Sequence, residues 1–154
     1  MAIGINTVYE TAADGRTMET RQPVSVRGGY RFPVADVFLE YTNFRVSDGT
    51  TMVYVSREHQ ELILWARHLL RSDWAFTPYA GIGVGAQNDH VDTVLSKQTS
   101  NDNGALQSMA TASVGLRALV LEKLELQFEG RLAVSPEYAP NPLFGFGVAV
   151  GLSF

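Results

Sequence analysis

The last stretch of the chain, residues 144–154, places every large apolar side chain on one side of an extended strand. Successive side chains of a strand point to opposite faces of a sheet. The apolar face would carry Phe144, Phe146, Val148, Val150, Leu152 and Phe154. The other face would carry only glycine, alanine and serine. A strand of this kind predicts a barrel with lipid outside and an interior that neighbouring strands fill.

The same alternation recurs along the rest of the chain and predicts seven further strands. We place them at residues 2–11, 21–32, 36–46, 58–71, 74–87, 106–120 and 124–134. A tilted membrane-spanning strand needs roughly 9 to 11 residues. Long and short connections alternate between the strands. This rhythm predicts an all-β fold, an eight-stranded antiparallel up-and-down transmembrane β-barrel that forms a single domain over residues 1–154.

Two stretches are less regular than the others. Residues 62–66 are apolar on both faces and fit a helix as well as a strand, although we favour a strand. Residues 88–104 form the longest polar stretch and lack any periodicity. We therefore predict a long loop between the fifth and sixth strands.

Composition excludes several classes of protein. The pI of about 5.3 and the net charge of −4 provide no basic patch, so we expect no nucleic-acid partner. The absence of cysteine excludes disulfides and thiolate chemistry. Residues 1–5 lack the basic region and apolar core of an export signal. We interpret Met1 as a start placed on a mature sequence whose signal peptide is absent.

Three segments resemble the small eight-stranded outer-membrane barrels of the OmpA, OmpX and OmpW type. They are Thr-Pro-Tyr-Ala-Gly-Ile-Gly-Val-Gly85, Gly-Leu-Arg117 and the closing Gly-Val-Ala-Val-Gly-Leu-Ser-Phe154. The resemblance implies an integral, monomeric protein of the bacterial outer membrane, in contact with outer-membrane lipid and lipopolysaccharide. It also implies that the barrel-assembly machinery reads the closing strand. Such a resemblance predicts the architecture and not the function, because the same barrel serves many functions.

Charged residues at inward-facing positions form the main candidate site. Acids and bases are equal in number, and the predicted interior network comprises Glu10, Arg27, Arg31, Glu40, Glu61, Arg67, Arg117, Glu125, Glu129 and Arg131. An unpaired buried charge is costly, and an eight-stranded barrel is only wide enough for side chains. We therefore expect salt bridges that plug the interior. A proton or ion path, or acid–base work by the carboxylates, is the less favoured interpretation.

The three histidines, His59, His68 and His90, offer little sign of catalysis. Lipid A deacylases of this barrel class use a His-x-Ser pair, and none of the three histidines is followed by that pattern. We expect all three at a surface or interface, and no enzymatic activity.

The polar stretch carries Asp89, His90, Asp92 and Asp102, which could hold a cation through oxygen ligands. Their spacing matches no known ligand loop, so we expect a solvated segment, with no metal and no cofactor.

Function is predicted less closely than architecture. The leading hypothesis is a non-enzymatic structural or surface-interaction protein that acts through its long loops. Pro23 and Pro78 lie inside predicted strands and each removes a ladder hydrogen bond. The second hypothesis is therefore a narrow channel or a lateral conduit for small hydrophobic molecules. An enzyme that modifies lipid A is a third hypothesis.

Overall fold

The computed structural model describes residues 2–12, 20–21, 24–49, 53–70, 75–95, 98–135 and 142–153. These residues contain ten strands: β1 (Ala2–Ala12), β2 (Thr20–Arg21), β3 (Val24–Arg31), β4 (Ala35–Gly49), β5 (Val53–Leu69), β6 (Phe76–Leu95), β7 (Gln98–Asn103), β8 (Gln107–Leu119), β9 (Leu124–Val134) and β10 (Leu143–Ser153). No helix in these ranges is long and apolar enough to span a membrane.

Eight of the strands close into a barrel. The order is β1-β3-β4-β5-β6-β8-β9-β10, every neighbouring pair is antiparallel, and β10 pairs back onto β1. That closing ladder runs from Ala2 opposite Ser153 to Ala12 opposite Leu143. The two short strands, β2 and β7, pair with β1 and β6 respectively. The predicted eight-stranded up-and-down barrel is confirmed.

The barrel is apolar outside and largely polar inside. On β5 the outward Leu62 and Leu64 are about half exposed, whereas the inward Ile63 and Trp65 are fully buried. The stretch that also fitted a helix is therefore a strand, and both of its faces are apolar because Ile63 and Trp65 fill the interior. Exposure reaches 73% at Phe146 of the closing strand.

The long loop predicted at residues 88–104 is wrong. β6 continues to Leu95 and pairs antiparallel with β7, so these two strands extend the barrel wall. Beside these strands, β4 continues to Gly49 and β5 begins at Val53. The backbone ladder can form there without an apolar face, which is why hydrophobic alternation gave no signal. We call this extension, residues 43–49, 53–60, 88–95 and 98–103, the outer wall.

Glycines on the inner face make room for large neighbours. A Cβ atom at Gly83 would lie 2.8 Å from a side-chain carbon of Ile63 and 3.0 Å from the Trp65 ring. A Cβ atom at Gly115 would collide with the Tyr79 ring. The bare face of one strand is thus filled by side chains from the next, which packs the interior closely.

Candidate functional site in the barrel interior

Glu129 of β9 lies at the centre of the buried charges. Its carboxylate oxygens accept hydrogen bonds from Arg27 at 3.0 Å, Arg131 at 2.9 Å and the Tyr79 hydroxyl at 3.0 Å. Arg67 also forms an ion pair with it. Three arginines from three strands therefore converge on one carboxylate whose side chain is 1% exposed.

A second buried carboxylate, Glu40 of β4, shares two of those arginines. Arg27 donates to it at 2.7 Å and Arg131 donates at 2.9 Å, while the Ser25 hydroxyl donates at 3.0 Å. Glu40, Glu129, Arg27, Arg67 and Arg131 form what we call the central cluster. Its charges alternate across the lumen, which offsets the cost of removing them from water.

Aromatic rings pack against the arginines of the central cluster. The Arg67 guanidinium lies 4.4 Å from the ring centre of Phe38 and 4.6 Å from that of Tyr79. Arg131 lies 4.9 Å from the Trp65 ring. Cation–π contacts of this kind stabilise a desolvated guanidinium.

A further set of charges lies toward the end of the barrel where the short turns lie. Arg31 donates to Asp36 at 3.1 Å and to Glu125 at 2.8 Å. Gln127 also donates to Glu125 at 2.8 Å. The Nη1 atom of Arg117 lies 3.7 Å from a carboxylate oxygen of Asp36. We call Arg31, Asp36, Arg117 and Glu125 the short-turn cluster.

An apolar layer of buried side chains lies against the central cluster. It consists of Phe38, Ile63, Trp65, Met109, Ala133 and Leu143. Along β5 the inward residues run in the order Arg67, Trp65, Ile63, Glu61 and His59, so the layer separates the arginines from the last two residues. Apolar side chains in the lumen oppose the passage of ions because an ion beside them would lose its hydration.

His59 lies beyond the apolar layer, between two carboxylates. Its Nδ1 atom is 2.6 Å from Asp89 and its Nε2 atom is 2.7 Å from Glu61. The Phe44 ring packs against the imidazole with 4.9 Å between ring centres. We call His59, Glu61 and Asp89 the outer cluster. Because each ring nitrogen faces a carboxylate, both nitrogens donate and the imidazole is protonated.

The outer cluster lies outside the apolar belt, because the outward residues of β5 beyond Leu62 are Gln60 and Glu58. Burial lowers the pKa of His59, but the hydrogen bonds and charges of Asp89 and Glu61 outweigh it and raise that pKa to about 9. His59 is only 1% exposed, so the predicted surface position is wrong for this residue. The alternation places it inward, and two acids are available to pair with it.

The structure divides the predicted interior charges among three places. Five lie in the central cluster and three in the short-turn cluster, while Glu61 pairs with His59 instead of an arginine. The side chain of Glu10 lies outside the described residues, although its backbone pairs with Gly145. The prediction omitted Asp36, although its position in the strand alternation places it inward.

The remaining candidates lie elsewhere. Phe144, Phe146, Val148, Val150 and Leu152 of the closing strand are exposed on the outer surface, and Phe154 lies outside the described residues. Pro23 is also outside them, so the lateral path proposed at that residue has no structural description.

Asp89 and His90 of the polar stretch pair with other side chains. Asp89 faces His59, whereas His90 pairs with Asp92 at 3.0 Å. Within the described ranges, no three His, Cys, Asp or Glu side chains are placed to hold a metal ion.

A closed antiparallel barrel of eight strands, apolar outside and charged inside, is the architecture of small outer-membrane proteins. Three solved structures share it with this chain. Neisserial surface protein A (NspA) is 13% identical with a TM-score of 0.76, over 99% of this chain and 96% of that chain. The N-terminal β-barrel domain of Pseudomonas aeruginosa OprF is 15% identical with a TM-score of 0.63, over 99% and 97%.

Ail, the attachment invasion locus protein of Yersinia pestis, is 10% identical with a TM-score of 0.62, over 99% of this chain and 95% of that chain. No protein-family model matches the sequence, and no curated protein sequence matches it. At these identities the three structures establish the fold that the chain shares with small outer-membrane barrels.

Proposed function

We propose that this chain is a non-enzymatic integral protein of the bacterial outer membrane that acts through its outer wall. The observation that carries the proposal is an interior closed by paired charges and an apolar layer. Because such an interior is filled, we expect the parts outside the membrane to carry the function. In this proposal the barrel is a monomer, contacts outer-membrane lipid and lipopolysaccharide, and is inserted by the barrel-assembly machinery.

The interior geometry favours a plug over a channel or conduit. The cavity beside the short-turn cluster leaves only about 40 Å³ open to the centres of water-sized molecules. This is room for a few waters, each of which needs roughly 10–15 Å³ by the same measure. A small hydrophobic molecule would also have to displace salt-bridged arginines, which is costly.

The histidine geometry favours a non-enzymatic role. Both nitrogens of His59 face carboxylates, so the ring has no lone pair to accept a proton from a nucleophile. His68 is exposed on the outer face of β5, and His90 is paired with Asp92. General-base catalysis needs a neutral imidazole within reach of a hydroxyl or a water.

The outer wall is the surface on which we place the interaction. Tyr54 and Val94 are opposite each other on β5 and β6, and are 45% and 38% exposed. An aromatic side chain beside an aliphatic one outside the apolar belt favours protein contact. Two of the similar proteins are named as a surface protein and an attachment invasion locus protein, which supports a role of this kind.

Single-cysteine labelling tests this arrangement cleanly because the chain has no cysteine. Val94→Cys lies on the outer wall and Glu122→Cys lies in the short turn between β8 and β9. In intact cells, a membrane-impermeant maleimide should label V94C, and should label E122C only after the outer membrane is permeabilised. The unsubstituted protein is the background control. Labelling of E122C alone, or equal labelling of both in intact cells, would sink the proposal.

A further inference from the structure

Gly130 of β9 leaves a gap in the lipid-facing surface of the barrel. It occupies an outward position and pairs with Val114 of β8 on one side and with Phe146 of β10 on the other. A Cβ atom at Gly130 would lie 3.8 Å from a ring carbon of Phe146 and 3.9 Å from a methyl carbon of Val114. Both neighbours project from the surface, since Val114 is 65% exposed and Phe146 is 73% exposed. Gly130 is therefore the floor of a notch, and these two side chains form its walls.

The notch joins two hollows on the same face of the barrel. One has a volume of about 270 Å³ and extends from Gly130 toward Phe144, and the other has a volume of about 380 Å³ and extends toward Val148. Both are lined by Val114, Gly130 and Phe146, so they meet at the notch. The outward side chains along them are all apolar: Ala112, Val114, Leu116, Phe128, Leu132, Phe144, Phe146 and Val148. We call the notch and the two hollows the Gly130 groove.

The position of the Gly130 groove identifies lipid hydrocarbon as its occupant. The groove is continuous with the exposed apolar surface of an outer-membrane barrel, where lipid chains are the surrounding medium. Phe146 is nearer to Leu143, at the outer end of β10, than to Ser153, at the short-turn end, so the groove faces the outer leaflet. From Phe144 to Val148 it follows the strand for roughly 14 Å, at a rise of about 3.4 Å per residue. This length is close to half of a hydrocarbon core that is about 30 Å thick.

A groove holds a lipid chain more firmly than a flat wall does. Lipid tails are as apolar as the side chains they touch, so association within a bilayer depends on packing contacts and not on removal from water. A chain in the groove would contact Phe146 on one side, Val114 on the other and the Gly130 backbone below, whereas a flat wall contacts a chain on one side only. An extended, saturated chain loses the least freedom when it is ordered in this way.

We propose that the Gly130 groove is a binding site for a saturated acyl chain of lipid A, the lipid portion of the lipopolysaccharide in the outer leaflet. The site rests on the proposed function, because it needs the barrel to lie in the outer membrane, and it adds a particular place at which the lipid is held. Cysteine labelling at Val94 and Glu122 tests the membrane arrangement separately, since both positions lie away from the groove. Failure of the lipid site can therefore be distinguished from failure of the proposed function.

Native mass spectrometry of the refolded barrel in a maltoside detergent, with purified lipid A as the titrant, tests this site. Wild type should retain one lipid A molecule saturably after the detergent is removed. Gly130→Leu fills the notch and should weaken that retention by about fivefold or more. Gly28→Leu is the matched control, because Gly28 is also an outward glycine, on β3, and a Cβ atom there has no neighbour within 4 Å. It should retain lipid A as wild type does, and heat-modifiable migration verifies that each variant is folded.

A second titrant, dimyristoyl phosphatidylethanolamine, tests the assignment to lipid A. Wild type should retain it more weakly, because lipid A joins several chains in one molecule and its further chains contact the outer sides of the groove walls. If G130L fails to fold, Phe146→Ala removes one wall and should also weaken the retention of lipid A. Three results would overturn the proposal: equal retention of lipid A by wild type and a folded variant of the groove, retention of the phospholipid as strong as that of lipid A, or a dimer of barrels without bound lipid.

Discussion

The central cluster and the outer cluster both bury charges. They differ in the residue type that carries the positive charge and in how far their contacts extend across the lumen. The central cluster uses arginines from β3, β5 and β9, and its contacts cross the lumen, as between Arg131 and Glu40. The outer cluster uses one histidine and joins the neighbouring strands β5 and β6. Arginine stays charged at any accessible pH, whereas histidine can lose its proton. The central cluster is therefore a plug whose charges do not depend on pH, whereas the outer cluster is a titratable ion-paired histidine at the base of the outer wall.

The largest expected effect comes from the centre of the plug. Glu129→Gln removes the charge that three arginines share, and the buried guanidinium groups lose their compensation. Breaking a buried ion pair on one side costs about 3–5 kcal/mol. Urea unfolding of the refolded barrel should show a loss of this size.

Glu58→Gln is the matched control, because Glu58 lies on the outer wall with Asn43 and Gln60 as its partners. It should leave the unfolding midpoint where wild type has it. If E129Q proved as stable as E58Q, the central cluster would not hold the barrel together.

The second prediction uses pH to distinguish the two clusters. The pKa of His59 is raised from 6.5 to about 9 in the folded protein, so its contribution to stability is complete below pH 6.5 and is lost as pH rises through 9. Wild type should lose up to about 3 kcal/mol of unfolding free energy across that window.

His59→Gln should remove this loss and respond less to pH between 6.5 and 9, while His68→Gln, at an exposed position, should behave as wild type does. Unfolding titrations at pH 6, 7.5 and 9 give the comparison. An unchanged pH dependence in H59Q would mean that protonated His59 does not stabilise the folded barrel.

The third prediction concerns the packing around the plug. Gly83→Ala places a Cβ atom 2.8 Å from Ile63 and Thr111, and overpacking of this kind costs about 1–3 kcal/mol. Gly28→Ala is the matched control, since a Cβ atom there has no neighbour within 4 Å. The free energy of unfolding should fall for G83A and should not fall for G28A. Equal losses in both variants would mean that the interior is not closely filled.

Much of the fold could be predicted from the sequence, because a barrel needs apolar residues at alternate positions and β5, β9 and β10 have large ones at most of their outward positions. The outer wall could not be predicted in this way. Residues 88–95 and 98–103 pair without an apolar face, so their strands leave no periodic pattern.

The interior partners were harder to predict than the interior positions. Alternation says which residues point inward, but contact across the lumen depends on how strands tilt around the barrel. Arg131 reaches Glu40, 91 residues away in sequence, and Arg31 reaches Glu125, 94 residues away. An equal count of acids and bases therefore did not reveal these pairings.

Planar-bilayer recording tests the central claim, a closed interior, most directly. Wild-type barrel inserted at neutral pH should give no steady current steps, because the apolar layer and the central cluster block the lumen. A variant with Ile63→Ala and Trp65→Ala, which removes the two fully buried side chains of that layer, serves as the comparison and should give more current than wild type. Reproducible conductance steps from the folded wild-type protein would contradict the account.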